Sequence, residues 1–162
     1  MNTSDIKIEI ILENGKSMIA ELYPDEAPIT VANFIKLIKD NFYDGLIFHR
    51  VIKGFMIQGG GIYPDGKSKA TEEIVGEFKS NGYNNTLKHT RGVLSMARTM
   101  FPNSATSQFF IMHAGAPHLD GQYAAFGKVV EGIEVVDDIA NLETDYNDRP
   151  LNDCIIKNIR IL

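Results

Sequence analysis

The sequence predicts a mainly β fold in a single domain over residues 1–162, with short strands and two helices. Short apolar runs recur between turns that contain Gly, Asn or Pro, which is typical of a β-barrel or a sandwich. Two other stretches repeat apolar residues at the three- and four-residue spacing of a helix. A chain of 162 residues suits one domain with a sizeable buried core.

The N-terminal region predicts a β-hairpin. Apolar residues occupy every second position from Ile6 to Leu12 and again from Met18 to Leu22, as in strands with one buried face. Asn14 and Gly15 lie between these two runs, and both tolerate the positive φ angles of a tight hairpin turn.

Two helices are predicted in the remainder of the chain. The first has Pro28 in its first turn, where no amide donor is needed, and it ends before the turn signal at Tyr43–Gly45. The second is predicted from Glu134 to Leu142, where apolar residues share one face.

The remaining strands are predicted at the other apolar runs. These runs are Leu46–Phe48, Phe55–Ile57, Val93–Ala97, Gln108–Met112, Tyr123–Val130 and Ile155–Leu162. The last run alternates like the first strand, and pairing the two would close the sheet and remove its edges. The residues alone do not fix the number of strands.

Composition excludes several classes of function. The net charge of −5 and the lack of a Lys/Arg run argue against nucleic-acid binding. Cys154 is the only cysteine, so no internal disulfide forms, which fits a reducing compartment. Residues 1–5 lack a signal-peptide pattern, and no apolar stretch approaches the ~18 residues of a membrane span. We therefore expect a soluble, cytoplasmic monomer that contacts neither nucleic acid nor membrane.

A Walker A pattern occurs at Gly61–Ser68 and would indicate a nucleotide hydrolase if a long helix followed it. Gly76 comes soon afterwards, residues 70–75 lack an amphipathic stripe, and Pro64 removes one amide from the phosphate loop. The matching Walker B candidate, at Val135–Asp137, falls in the second predicted helix. We interpret the segment as a surface turn.

The titratable residues offer no strong metal or nucleophile signal. Histidines occur at positions 49, 89, 113 and 118. They form no helical i, i+4 pair, and Cys154 is alone, so no metal site is expected. Ser95 and Ser107 are candidates for a nucleophilic triad with these histidines, but no G-x-S-x-G elbow accompanies them.

Three segments carry the most specific signal. Residues 48–60 read F-H-R-V-I-K-G-F-M-I-Q-G-G, residues 107–111 read S-Q-F-F-I, and residues 119–127 read L-D-G-Q-Y-A-A-F-G. Taken singly, these residues would be core side chains and a surface charge. In this order they resemble the cyclophilin family, over essentially the whole chain. The Ala-Arg-Thr stretch at 97–99 and His118 are most similar to a bacterial cytoplasmic member.

The resemblance implies a closed eight-stranded antiparallel β-barrel capped by two α-helices. It also implies peptidyl-prolyl cis/trans isomerase activity without a metal or other cofactor. Arg50 would be the catalytic residue, and Gln58 would orient it. The substrate-binding residues that the resemblance implies are Phe55, Met56, Gln58, Ala97, Arg98, Gln108, Phe110, His118, Leu119 and Tyr123. The expected partners are proline-containing peptides and unfolded or folding proteins.

The chemistry of the reaction suits an arginine beside an apolar pocket. Twisting the bond before proline breaks its resonance, so the nitrogen regains a lone pair and the amide becomes less dipolar. A charged donor and apolar walls both favour that state. The alternative is a proline-binding or chaperone module with negligible turnover. Simple binding needs only the pocket, so the presence of Arg50 favours the enzyme.

The sequence also departs from the family pattern. His118 stands where well-known members have tryptophan, Tyr123 where they have histidine, and Arg98 where the motif has asparagine. One extra residue separates Ala97 from Pro102, which predicts a loop of different shape. These changes predict weakened cyclosporin binding more than weakened catalysis.

Overall fold

A computed structural model describes residues 6–162, which form eight strands, two α-helices and two short 3₁₀ turns. The strands are β1 Ile6–Leu12, β2 Ser17–Leu22, β3 Arg50–Ile52, β4 Met56–Gly59, β5 Val93–Met96, β6 Phe109–Met112, β7 Ala125–Glu131 and β8 Ile156–Ile161. The helices are α1 Pro28–Lys39 and α2 Ile133–Ala140, and the 3₁₀ turns are Lys79–Asn81 and Pro117–Leu119. Both predicted helices are confirmed, although α2 starts and ends earlier than predicted.

The strands form one antiparallel sheet in the order β3-β4-β6-β5-β7-β2-β1-β8, which curls into a half-barrel. The predicted pairing of the first and last strands is confirmed, with Ile8 opposite Ile161 and Ile10 opposite Ile159. The prediction that this pairing closes the barrel is wrong. It leaves β8 at one end of the strand order, while β3 lies at the other.

Irregular chain, rather than a strand ladder, covers the edge of β8. The Gly45 amide donates to the carbonyl of Ile156 at 2.8 Å, and the Phe48 amide donates to that of Cys154 at 3.0 Å. Strand-type pairing here is limited to an isolated bridge between Ile47 and Ile155. The edge is thus protected by a loop, as exposed edges must be, without an eight-stranded closure.

The hairpin of β1 and β2 follows the predicted alternation. Its register runs from Ile6 opposite Leu22 to Ile11 opposite Ser17, and Gly15 in the turn has a φ of +88°. The buried side chains are those at residues 8, 10, 12, 18, 20 and 22. They face a core in which α1 places Phe34 against Phe109 and Phe126, with ring centroids 5.4 and 5.0 Å apart.

A buried carboxylate fixes the start of α1. Glu77 accepts a hydrogen bond from the Thr30 amide at 2.6 Å and a second from the Thr30 hydroxyl at 2.8 Å. Negative charge is favourable at a helix N-terminus, where backbone N–H groups lack partners. This contact joins α1 to the segment that includes Phe78.

The Walker-like segment is a surface turn, as the sequence indicates. Ile62 pairs with Ser68 in an isolated bridge, and the Gly66 amide donates to the carbonyl of Tyr63 at 2.9 Å. Residues 69–78 are all described and contain no helix, so the context that a phosphate loop needs is missing. Val135–Asp137 lies within α2.

Within residues 6–162, no helix combines the length and the apolar character needed to cross a membrane.

Candidate active site

The central strands carry apolar side chains on both faces. One face of β4, β5 and β6 contributes Ile57, Leu94 and Ile111 to the main core. The opposite face carries a second buried cluster. Its members are Met56, Val93, Phe110, Met112, Ala116, Leu119 and Ala125. Strands covered on both faces read as continuous apolar runs rather than as an alternation, which explains the sequence of these segments.

Strand register places four residues in one row across this second face. Arg50 on β3 is opposite Gln58 on β4, Gln58 is opposite Phe110 on β6, and Phe110 is opposite Ser95 on β5. Residues that are directly opposite each other project to the same side of a sheet. The row therefore brings a cation, an amide and an aromatic ring together on the face outside the main core.

A cavity of about 130 Å³ opens over this row. It is lined by Arg50, Phe55, Met56, Gln58, Ala97, Arg98, Phe110, Leu119 and Tyr123. All of these residues are among those that the sequence predicts for catalysis (Arg50) or for substrate contact (the others). Of the predicted set, Gln108 and His118 do not line the cavity. The structure thus assembles the predicted pocket, while substrate binding at each residue stays a prediction.

The floor of the cavity is apolar and rigid. Met56, Phe110 and Leu119 are buried, and the rings of Phe110 and Tyr123 meet edge to face with centroids 5.7 Å apart. Close-packed aromatic pairs of this geometry are mutually stabilising. The floor offers a fixed apolar surface to a small ring.

A chain of amides leads to Arg50. Nη1 of Arg50 donates to Oε1 of Gln58 at 3.4 Å, and Nε2 of Gln58 donates to Oε1 of Gln108 at 3.0 Å. The first bond is long, and it engages only one of the five N–H donors of the guanidinium. The other N–H groups of Arg50 have no hydrogen-bond partner among residues 6–162. They are free to donate to a molecule in the cavity.

Gln108 supports this chain rather than the cavity wall. A Cβ atom at Gly61 would lie 2.3 Å from Cγ of Gln108, so a side chain at position 61 would displace the amide. The glycine after the predicted Q-G-G motif therefore gives Gln108 room to reach Gln58. The sequence predicts that Gln108 contacts substrate. The structure places its side chain against Gln58, a contact that no local sequence pattern indicates.

The side chain of Arg98 braces the rim. Its guanidinium lies 4.7 Å from the ring centroids of both Phe78 and Tyr123, and its Nη2 donates to the carbonyl of Gln122 at 2.6 Å. Cations over aromatic faces are attracted by the ring quadrupole. The sequence predicted Arg98 only as a substrate contact and missed this role. The only sequence feature that pointed to this role was the arginine at position 98, where the family motif has asparagine.

His118 lies beside the cavity without lining it, and its contact with substrate stays a prediction. It belongs to the 3₁₀ turn Pro117–Leu119 and stacks on Phe55, with centroids 6.0 Å apart and ring planes 29° apart. It is exposed, whereas the neighbouring Leu119 is buried and lines the cavity.

A buried polar relay lies behind the floor. Nδ1 of His89 is 3.0 Å from Oδ1 of Asp120, and Nε2 of His89 is 2.8 Å from Oγ of Ser95. The imidazole also stacks on Phe110, with centroids 6.0 Å apart. Burial lowers the pKa of His89, against the opposing effect of Asp120. The neutral ring then donates to Asp120 and accepts from Ser95.

The relay has the order of a nucleophilic triad but not its accessibility. Ser95 is 0% exposed and His89 is 2% exposed, so neither reaches a bound peptide. The other serine candidate, Ser107, is also buried and donates to the carbonyl of Gly60 at 2.8 Å. Both serines are structural, and the relay acts by fixing the position of Phe110.

The other histidines are dispersed. Nε2 of His113 is 3.1 Å from Asp137, and Nδ1 of His113 accepts from the Gly54 amide at 2.8 Å. Burial, followed by the charges of Arg50 and Arg149, lowers the pKa of His49. Among residues 6–162, no three or more His, Cys, Asp and Glu side chains are grouped as metal ligands.

A curled antiparallel sheet with an arginine beside an apolar pocket defines the class of cyclophilin folds. The family model described as "Cyclophilin type peptidyl-prolyl cis-trans isomerase/CLD" matches residues 7–161. The chain belongs to this family, and it is an isomerase of peptidyl-prolyl bonds.

Relatives and solved structures agree with this assignment. The chain is 42% identical to "Peptidyl-prolyl cis-trans isomerase B" of Escherichia coli, over 91% of this chain and 95% of that protein. It is 53% identical to a "Peptidyl-prolyl cis-trans isomerase" of Acinetobacter baylyi, over 76% of this chain and 66% of that protein. A Cryptosporidium parvum cyclophilin, solved in the presence of the dipeptide Ala-Pro, is 34% identical with a TM-score of 0.81, covering 96% of this chain and 98% of the other.

Acid is expected to destabilise the protein through its buried histidines. Burial lowers the folded-state pKa of His89 and of His49 below the ordinary value of 6.5. As the pH falls below about 6.5, these two histidines bind protons more readily in the unfolded chain than in the folded protein. This part of the stability is therefore complete above that pH and is lost as the pH falls.

Urea unfolding at about pH 7.5 and about pH 5.5 measures this loss. His89→Asn is expected to lose less stability than the wild type between the two pH values, because one of the two groups is gone. His49→Asn removes the other buried histidine, and it is also expected to lose less stability than the wild type between the two pH values. Comparing the two pH values within each variant removes any change in its absolute stability. An unchanged loss in His89→Asn would contradict the assignment of a neutral, buried His89.

Proposed function

We propose that Arg50 is the catalytic residue of this isomerase and that the single domain 1–162 carries the whole activity. The observation that carries the proposal is the position of Arg50, opposite Gln58 and separated from Phe110 by one strand, with unused N–H donors over an apolar cavity. The substrate proline would lie on Phe110, Met56 and Leu119, with its nitrogen toward the guanidinium.

The barrier to be lowered is about 18–20 kcal/mol and comes from amide resonance. In the twisted state the proline nitrogen has a lone pair that can accept a hydrogen bond, whereas in the planar state it has none. A donor such as Arg50 therefore binds the transition state more strongly than the ground state, which is the condition for catalysis. A rate gain of about 10⁵ requires about 7 kcal/mol of such differential stabilisation.

The cavity floor would contribute the second part of that stabilisation. The twisted amide is less dipolar than the planar one, so it loses less on leaving water for the apolar surface of Met56, Phe110 and Leu119. Phe55 and Tyr123 complete the walls on either side. The same surface would bind the proline ring in both ground states.

The substrate backbone would lie along Ala97 and Arg98. The Ala97 amide already donates to the carbonyl of Gln108 at 3.0 Å, so a peptide would reach Ala97 through its carbonyl. The Arg98 side chain is bonded to Gln122, so it would shape the wall there more than bind the peptide.

The partners that we propose are proline-containing peptides and unfolded or folding proteins. The Cryptosporidium cyclophilin solved with Ala-Pro supports this, because it shares the fold and 34% of the aligned sequence. We propose that the protein acts as a cytoplasmic monomer. The net charge of −5 disfavours binding to a nucleic-acid backbone.

Replacing Arg50 is expected to remove most of the activity. Arg50→Ala should lower kcat/KM on an Ala-Pro tetrapeptide by roughly two to three orders of magnitude, or about 3–4 kcal/mol of transition-state stabilisation. A protease-coupled assay measures this. Lys53→Ala is the matched control, because Lys53 is an exposed cation in the turn between β3 and β4.

The same assay separates an isomerase from a simple proline-binding module. A binding module would retain peptide affinity and show no turnover in the wild type. Near-normal turnover in a folded Arg50→Ala protein would instead remove Arg50 from the catalytic role.

Cyclosporin is expected to bind weakly, because an imidazole at position 118 offers less apolar area than an indole. His118→Trp should tighten cyclosporin binding by about 1–3 kcal/mol, measured by calorimetry. Turnover of a tetrapeptide should change less, since the proline would sit on Phe110 and Leu119 rather than on the rim. Equal cyclosporin affinities in the two proteins would show that residue 118 does not face the ligand.

A further inference from the structure

The loop between β5 and β6 presents two large apolar side chains to solvent beside the cavity. Met100 is 85% exposed and Phe101 is 68% exposed. Single exposed apolar residues are ordinary on a protein surface, but adjacent large ones on an ordered loop indicate an interaction site. This loop is also where the sequence has one residue more than the family pattern between Ala97 and Pro102.

Side-chain hydrogen bonds hold this loop in one shape. Ser104 Oγ accepts from the Thr99 amide at 3.0 Å and from the Thr99 hydroxyl at 2.8 Å, and it donates to the carbonyl of Phe101 at 2.7 Å. The Phe101 amide donates to Oγ1 of Thr99 at 3.2 Å. The backbone under Met100 and Phe101 is therefore ordered before anything binds.

The base of the loop is packed against the neighbouring segment. Oδ1 of Asn103 accepts from the Gly76 amide at 3.0 Å and from Nδ2 of Asn81 at 2.9 Å. A Cβ atom at Gly76 would lie 2.2 Å from the carbonyl oxygen of Pro102, so the backbones of these two segments are in close contact. Met100 and Phe101, at the tip, are the large apolar side chains that the loop exposes.

Arg98 joins the loop to the cavity. Its side chain lines the cavity, and its Nη1 donates to the carbonyl of Thr99 at 2.9 Å and to that of Met100 at 3.4 Å. The apolar tip is therefore continuous with the pocket through one side chain. A polypeptide leaving the pocket on that side would pass over Arg98 toward Met100 and Phe101.

We propose that Met100 and Phe101 form an accessory docking surface for an apolar side chain of the polypeptide whose proline occupies the cavity. The inference rests on the proposed function of that cavity. It deepens that function by naming a substrate class: unfolded chains with bulky apolar residues near proline. Such chains are what a folding protein exposes, whereas a short polar peptide offers the surface nothing to bind.

The size of the surface favours a flexible chain over a second copy of this protein. A stable interface between folded proteins buries at least about 1,000 Å². Two side chains expose far less, since a phenylalanine buries at most about 150–250 Å². One apolar side chain of an extended segment matches this area. An ordered loop also spares the complex the entropic cost of fixing the docking residues.

The test uses two peptides of about thirteen residues with a central proline and lysines at both ends, a length that reaches beyond the cavity at ~3.3 Å per residue. One carries leucines at the second to fourth positions on each side of the proline, and the other carries serines there. The wild type is expected to favour the leucine peptide by roughly five- to tenfold in kcat/KM, mainly through a lower KM. Docking away from the reacting bond contributes equally to ground and transition states, so kcat should differ little.

The double variant Met100→Ser, Phe101→Ser is expected to lose this preference, because the KM for the leucine peptide rises to that for the serine peptide. Leu162→Ser is the matched control, since Leu162 is 53% exposed at the end of β8, a strand that does not line the cavity. It should keep the wild-type preference. Ser104→Ala, which loosens the loop but keeps both apolar side chains, should fall between the two.

Failure of the docking proposal and failure of the proposed function would give different results in this test. If the wild type turns over both peptides equally, or if the double variant keeps the preference, the docking surface is wrong and the isomerase assignment stands. If the wild type turns over neither peptide, the proposed function itself is wrong. A dimer in sedimentation that the double variant dissolves would show that a second copy covers these residues, which also overturns the proposal.

Discussion

The pairing of β4 with both β3 and β6 is the constraint on which the site depends. It sets Arg50, Gln58 and Phe110 in one row on one face of the sheet. Strand side chains alternate between faces, so a slip of one residue in either pairing would move Arg50 or Phe110 to the other side. The three-residue strand β3 would not hold such a register alone. The main core beneath the sheet holds it, through Val51 and Ile57 on the opposite face.

Three supports keep the row rigid, and each comes from a different part of the chain. Gln108 fixes Gln58 from the start of β6, the His89 relay lies behind Phe110, and Arg98 clamps the rim against Tyr123. The side chains of the row are thus positioned by neighbours that lie outside the row. An isomerase that acts only by stabilising a twisted amide depends on such preorganised geometry, because it forms no covalent bond with its substrate.

The sequence predicted the parts of the fold that local periodicity controls, and the site where the motif was specific. The hairpin at residues 6–22 and α1 follow directly from apolar spacing and turn residues. Sheet closure was predicted wrongly, because strand order depends on long-range pairing and β8 meets irregular chain rather than β3. The His89 relay and the bracing by Arg98 join residues far apart in the sequence, so no local pattern could predict them.

Two-dimensional exchange NMR on an Ala-Pro peptide, with protein at substoichiometric concentration, tests most directly whether Gln58 holds Arg50 in its working position. The wild type is expected to produce exchange peaks between the cis and trans forms. Gln58→Leu substitutes an apolar side chain of similar size and breaks the link from Gln108 to Arg50. It should slow exchange by roughly tenfold, about 1.4 kcal/mol, with little change in peptide affinity. Exchange at the wild-type rate in a folded Gln58→Leu protein would contradict the account.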